Sequence, residues 1–217
     1  MNLSLPATVL ILGANPKGTA TLRLDEEQRE IKASLNRSRL RDNFDPITET
    51  AVRTGDLRQA MLKHNPQIVH FSGHGEGDAG LVFEDEVGQA KLVGGEALAG
   101  LFALFAERRL QCVVLNACYS DMQAEAISRH IPYVIGMNAA IGDRAALEFA
   151  KGFYDALGAG ESIAFAFEMG CNSIQMEGIP QDLIPVLMHN SDAISQSFSQ
   201  SSAMDHSGVS GLAQRSS

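Results

Sequence analysis

The 217 residues are 45% hydrophobic, enough for one full core with a short remainder, and carry a formal charge of -9. No run of about 18 uncharged apolar residues occurs, and residues 1–6 have neither a basic start nor a long apolar stretch, so neither a membrane span nor a signal peptide is expected. Lys and Arg outnumber Asp and Glu ten to eight up to Lys63 but are outnumbered six to sixteen over residues 64–190, which argues against a nucleic-acid groove and suits a cationic peptide.

Three cysteines, an odd number without zinc-type spacing, fit a reducing compartment and give no disulfide framework, so a cytoplasmic location is expected. Cys112 lies in a strand-like run and Cys171 in a helical pattern, where each reads as a small buried hydrophobe. Only Cys118 ends an element.

Residues 7–12 form an apolar run rich in branched side chains and end in Gly13-Ala14-Asn15-Pro16, the pattern of a buried first strand. Gly13 and Gly18 have P-loop separation, but Thr19-Ala20 stands where Lys and then Ser or Thr are required, so the phosphate-gripping side chain is missing. Residues 25–40 are charged, with acids in the first turn and Ile31 and Leu35 on one face, and read as an amphipathic helix. Residues 44–52, broken by Pro46, read as a second strand near an edge. A short helix comes next over residues 56–64 with Leu57, Ala60 and Met61 inward, and the strand of residues 68–71 then leads into His74.

After His74, Gly75-x-Gly77-x-x-Gly80 spells the dinucleotide fingerprint. The next segment is a hairpin and not the helix that fingerprint needs: Leu81-Val82-Phe83, a turn near Glu86-Val87-Gly88, then Ala90-Lys91-Leu92. The glycines therefore read as a mobile loop, and the hairpin as a wall of the adjoining crevice. Residues 95–109 predict a helix with Leu98, Leu101, Phe102 and Phe105 inward; then come a strand over 112–115, a helix to His130 and a strand over 133–137. Gly142-Asp143 opens a long helix with Ala146, Phe149, Ala150, Phe153 and Leu157 on one face, closed by Gly158-Ala159-Gly160. A further helix over residues 162–174 and a last edge strand over 183–187 complete an α/β three-layer sandwich spanning residues 1–190. Its central sheet is mostly parallel, with helices on both faces and the hairpin as an insertion. Residues 191–217, ten of them Ser, lack apolar periodicity and read as a disordered tail or linker remnant.

Two strand ends carry the chemistry, His70-Phe71-Ser72-Gly73-His74-Gly75 and Leu115-Asn116-Ala117-Cys118-Tyr119-Ser120. In an open parallel sheet the C-terminal edge is where sites form, so a His and a Cys placed there are a candidate proton carrier and nucleophile. His70, inside its strand run, reads as a satisfied buried histidine. Ser120-Asp121-Met122-Gln123 spells a capping box, which sets Cys118 just before a helix N-terminus whose amides favour a thiolate and an oxyanion. A zinc site from His70, His74 and Cys112 is disfavoured, because alternating strand positions do not converge.

Several stretches carry a family resemblance: Ala14-Asn-Pro-Lys-Gly18, Leu24-Asp-Glu-Glu27, Val69-His-Phe-Ser-Gly-His-Gly75, Val114-Leu-Asn-Ala-Cys-Tyr-Ser120, Val134-Ile-Gly-Met137, Gly142-Asp143 and Phe153-Tyr154 with Leu157-Gly158 and Gly160. Over residues 7–188 the chain resembles the CHAT family of caspase-like cysteine peptidases, related to caspases, separase and gingipains. The resemblance implies a caspase-like fold with Cys118 as nucleophile, His74 as its proton carrier, and the amides of Gly75 and Cys118 as oxyanion donors. Several relatives cut after a basic residue through a carboxylate in the first specificity pocket, and Asp121 and Asp143 are the nearest acids by sequence. It further implies a protein or peptide substrate, no cofactor or metal, and a latent state relieved by self-cleavage or by a regulatory or sensor protein in trans. A role as a bacterial defence or cell-death effector is part of the same expectation, and neither nucleic acid nor membrane is an expected partner.

Two other classes compete. A catalytically silent docking module has no chemical reason to keep both His74 and Cys118, and a nucleotide-binding α/β domain lacks the P-loop Lys and the helix after Gly80.

Overall fold

The computed structural model describes residues 6–191 and 193, so nearly all of the Ser-rich segment lies outside the described residues. The first half runs β1 (Ala7–Gly13), α1 (Leu24–Arg37), β2 (Phe44–Thr50), α2 (Thr54–His64), β3 (Ile68–Ser72), then the hairpin β4 (Leu81–Glu84) and β5 (Ala90–Val93). The second half runs α3 (Gly95–Ala106), β6 (Cys112–Asn116), α4 (Asp121–Ser128), β7 (Tyr133–Met137), α5 (Asp143–Ala159), α6 (Ile163–Met176) and β8 (Pro185–His189). Six strands form one sheet in the order β2-β1-β3-β6-β7-β8, while β4 and β5 pair only with each other. Every neighbouring pair in the large sheet is parallel except β7 with β8.

The alternation of side chains along a strand explains why the sheet is buried on both faces. Leu10, Leu12, Val69, Phe71, Val113 and Leu115 point into one apolar layer, shared with inward residues of α2, α3 and α4. Val9, Ile11, Ile68, Cys112, Val114 and Ile135 point into the other, against α1, α5 and α6. The expected mostly parallel three-layer sandwich, with the hairpin after His74, is thus the observed fold.

Element ends depart from the sequence reading for local reasons. Helix α1 stops at Arg37 rather than at residue 40, because Ser38 turns to extended backbone and its hydroxyl donates to the Leu35 carbonyl at 2.7 Å. Strand β8 begins at Pro185 rather than at Leu183, and Leu183 is exposed. The hairpin stands beside the loop after β1, where the Lys17 amide donates to the Gly88 carbonyl at 2.9 Å and its ammonium to the Val87 carbonyl at 3.0 Å. It was expected to wall the crevice, yet none of its residues lines the pocket between α1 and α5 at the sheet's C-terminal edge.

Helices α5 and α6 pack closely at Gly152, where a methyl group would collide with Ser173 Oγ and lie 2.7 Å from the Met169 carbonyl oxygen. Replacing Gly152 by Ala should therefore destabilise the fold by about 1–3 kcal/mol in urea denaturation. Gly100 in α3 faces open space. There the same substitution should be neutral or stabilising by up to about 1 kcal/mol through helix propensity.

Candidate active site

The pairing of β3 with β6 sets the site. Phe71 is level with Leu115 and Ser72 with Asn116. The ladder continues one step further through the Gly73 amide and the Asn116 carbonyl, at 3.4 Å. Two residues beyond Ser72 and Asn116 stand His74 and Cys118, so the paired strands end beside each other and both side chains line one pocket. Chain order reverses direction next to this pair, between β1 and β3, since β2 lies on one side of β1 and β3 on the other. Such a switch point leaves a crevice at the strands' C-terminal edge.

The two loops touch at Gly75, where a Cβ would fall on the Cys118 carbonyl oxygen. Neither the Gly75 nor the Cys118 amide has a hydrogen-bond partner among the described residues, so both donors are available. The Gly75–Gly80 loop is tied down: Glu76 N–H donates to the Gly80 carbonyl at 2.9 Å, and Gln123 Nε2 donates to the Gly77 carbonyl at 2.7 Å. The first bond closes the loop on itself, and the second holds it against α4.

His74 is half-buried, and its Nε2 lies 2.8 Å from the Ala20 carbonyl oxygen. A carbonyl only accepts, so Nε2 carries the proton and Nδ1 is left as the basic nitrogen. The Cys118 thiol points to the Ile141 carbonyl at 3.6 Å. Tyr119, exposed, takes a left-handed φ of 52°, an uncommon conformation for a bulky residue, in the turn from β6 to α4. The capping box expected at Ser120 does not form. Its hydroxyl instead donates to the Leu115 carbonyl at 2.8 Å and accepts the Met137 N–H at 3.0 Å, which ties the end of β6 to β7. The other cysteines are inert: burial raises the pKa of Cys112 far above its ordinary value and pushes that of Cys171 up to about 12.

Beneath these loops lies a buried polar network. Glu27 Oε1 accepts from His70 Nε2 at 2.7 Å and from Asn116 Nδ2 at 2.6 Å, and His70 Nδ1 lies 3.1 Å from the Tyr154 hydroxyl. Burial above all pushes the Tyr154 pKa up, so the hydroxyl keeps its proton. His70 is the satisfied core histidine expected of it. A pocket opens between Leu22, Arg23 and Leu24 on one side and Ile141, Asp143 and Ala146 on the other, with Glu27, His74, Asn116 and Cys118 also in its lining. Asp143 therefore borders the pocket, whereas Asp121 is not among its lining residues. Glu27 was missed as a site residue because three acids in a first turn read as dipole compensation. The available signal was its phase, four residues before Ile31 and eight before Leu35 on the inward face. No group of three His, Cys, Asp or Glu among the described residues is placed to hold a metal ion.

A mostly parallel sheet that presents a His and a Cys on adjacent strand ends is the fold of caspase-like cysteine proteases. The chain is similar to a secreted C11 cysteine protease from Bacteroides thetaiotaomicron, with a TM-score of 0.62 at 13% identity over 87% of this chain and 67% of that one. It is likewise similar to the Drosophila initiator caspase Dronc, with a TM-score of 0.52 at 8% identity over 84% and 79% of the two chains. The CHAT domain family model matches residues 5–177, and the chain belongs to that family. Among curated proteins it is 28% identical to a Roc-COR-CHAT protease of an unknown prokaryotic organism, covering 85% of this chain and 18% of the relative. It is 27% identical to a probable protease of Gillisia limnaea (strain DSM 15749 / LMG 21470 / R-8282), covering 69% of this chain and 26% of the relative. The chain thus spans only a minor part of either relative's length.

Limited alkylation at pH 7.5 should modify one thiol, mapped to Cys118 and absent from Cys118→Ala. Cys171 should react, and its burial should cease to favour the fold, only as pH climbs from about 8.5, the ordinary thiol value, toward about 12. Below that window its contribution is complete, because a raised folded value favours the protonated state of the native chain.

Proposed function

We propose that the chain is a cysteine endopeptidase domain in which Cys118 is the nucleophile and His74 the proton carrier. The observation that carries this reading is that His74 and Cys118, each two residues past the paired ends of β3 and β6, line one pocket. His74 Nδ1 takes the thiol proton, the thiolate attacks the scissile carbonyl carbon, and the oxyanion rests on the Gly75 and Cys118 amides. The tetrahedral adduct collapses with loss of the amine, which receives the proton from His74 and leaves a thioester on Cys118. Water then attacks the thioester while His74 takes its proton; the acid departs and the thiol is restored. The Ala20 carbonyl holds the ring in place, the part that a carboxylate plays in other triads.

We propose further that cleavage occurs after a basic residue and that the domain is made latent. Asp143 at the pocket supports the first point. The thiol's bond to the Ile141 carbonyl supports the second: activation requires Sγ to leave that carbonyl for His74. A regulatory partner or flanking module is the proposed trigger, and a bacterial defence or cell-death role the proposed setting. Three free cysteines suit a reducing, cytoplasmic location.

Fluorogenic peptides with Lys, Arg, Asp or Leu before the scissile bond, tested with and without a nicking protease, examine the reading. The Lys or Arg peptide should be cleaved fastest, Cys118→Ala should be silent, and His74→Ala should lose roughly 10²–10⁴-fold in kcat. Cleavage undiminished in Cys118→Ala would exclude the proposed nucleophile.

A further inference from the structure

We infer that the hairpin of β4 and β5 is the positioning element for His74, and that it acts through the clasp between Gly88 in its turn and Lys17 in the loop after β1. The inference rests on the peptidase reading above and names the part of the chain that keeps the imidazole aimed.

The hairpin follows His74 directly. At its base the Val82 N–H donates to the His74 carbonyl at 3.0 Å. Leu81, Val82 and Phe83 are buried there, and the Phe83 ring lies 4.9 Å from that of Phe71 on β3. At its far end the chain turns through Gly88, whose φ of 79° is left-handed, and the Asp85 carboxylate accepts the Val87 and Gln89 N–H groups at 2.9 and 2.8 Å. A buried base and an ordered turn make the hairpin a strut.

That turn grips the loop after β1. The Lys17 N–H donates to the Gly88 carbonyl and its ammonium to the Val87 carbonyl, while Glu84 on β4 accepts the Asn15 N–H at 3.3 Å. A Cβ on Gly88 would lie 3.3 Å from Lys17 Cε and 3.4 Å from Nζ, so even a methyl group presses on the clasp. Three residues past Lys17 is Ala20, whose carbonyl accepts from His74 Nε2. Among the described residues, every hydrogen bond that residues 15–22 make outside their own loop goes to the hairpin or to His74. One element thus fixes His74 twice, its backbone through Val82 and its ring through Lys17 and Ala20. Hydrogen bonds weaken steeply with misalignment, so a loosened clasp releases the ring. Because no hairpin residue lines the pocket, the effect falls on the proton carrier and not on substrate binding.

The test compares Gly88→Ala, Lys17→Met and Lys17→Arg with the parent by two readouts. In protein made with nitrogen-labelled histidine, the His74 ring signals are assigned by their loss in His74→Ala. At a pH of about 8, where an ordinary imidazole is neutral, the parent's Nε2 and Nδ1 signals should stand far apart, as one tautomer requires. In Gly88→Ala and Lys17→Met they should draw together as the two tautomers exchange, with the signals of His64, His70 and His130 in place. On the fluorogenic peptides Gly88→Ala and Lys17→Met should each lower kcat about 3- to 10-fold with KM within about twofold, and Lys17→Arg should restore kcat to within about twofold, since a guanidinium also donates to a carbonyl.

His74 signals unmoved in both variants overturn the inference whatever the rates, and so does a general shift of all the histidines. A rise in KM at constant kcat also overturns it, by making the hairpin a substrate contact. Should Gly88→Ala fail to fold, Lys17→Met, which alters an exposed side chain, decides by the same readouts. Moved His74 signals with unchanged kcat uphold the strut and overturn the role given to His74. A parent with no Cys118-dependent cleavage overturns the peptidase reading, and the ring signals then decide the inference on their own.

Discussion

The parallel pairing of β3 with β6 is the constraint on which the site depends. Their register places Ser72 beside Asn116, and the short turns that follow bring His74 and Cys118 into the lining of one pocket. Backbone bonds between buried strands are hard to shift, because slipping by one residue would turn Val69, Phe71, Val113 and Leu115 to the wrong face. The geometry of the reactive pair is therefore an outcome of core packing. Gly75 closes the arrangement, letting the His74 loop rest on the Cys118 carbonyl where any other side chain would intrude.

A second layer holds that register from below. Glu27 on α1 joins His70 on β3 to Asn116 on β6 through a single carboxylate oxygen, and Tyr154 on α5 completes the set. One helix and two central strands thus meet at one buried acid in the pocket lining, and the second helix joins them through His70. Ser120 does a related task laterally by tying β6 to β7 in place of capping its own helix. Within this network Asn116 Oδ1 is the buried acceptor left open, and it lies in the residue that lines the pocket itself.

Much of this was legible in the sequence, and the reasons differ by residue. Apolar runs ending in Gly-His-Gly and Ala-Cys-Tyr marked the two strand ends, and their composition forecast a sheet buried on both faces. The hairpin after Gly80 was legible because its turn chemistry contradicts the helix that a nucleotide loop needs. What sequence could not supply was register and tertiary partners. The hydroxyl of Ser120 fits a capping pattern by spacing, but β6 and β7 compete for it once packed. The carbonyls of Ala20 and Ile141 leave no mark in any side-chain pattern, although one orients His74 and the other holds the thiol. Glu27 sat in plain view among first-turn acids, and only its helical phase separated it from Asp25 and Glu26.

The proposed peptidase site requires that His74 serve Cys118. The most direct measurement is mass-spectrometric mapping of the adduct left by a peptidyl-lysine acyloxymethyl ketone, with its rate monitored in the parent and in His74→Ala. The expected result is a single stoichiometric adduct on Cys118, formed far more slowly when His74 is removed. An adduct on another residue, no adduct at all, or equal rates in the two proteins would contradict it.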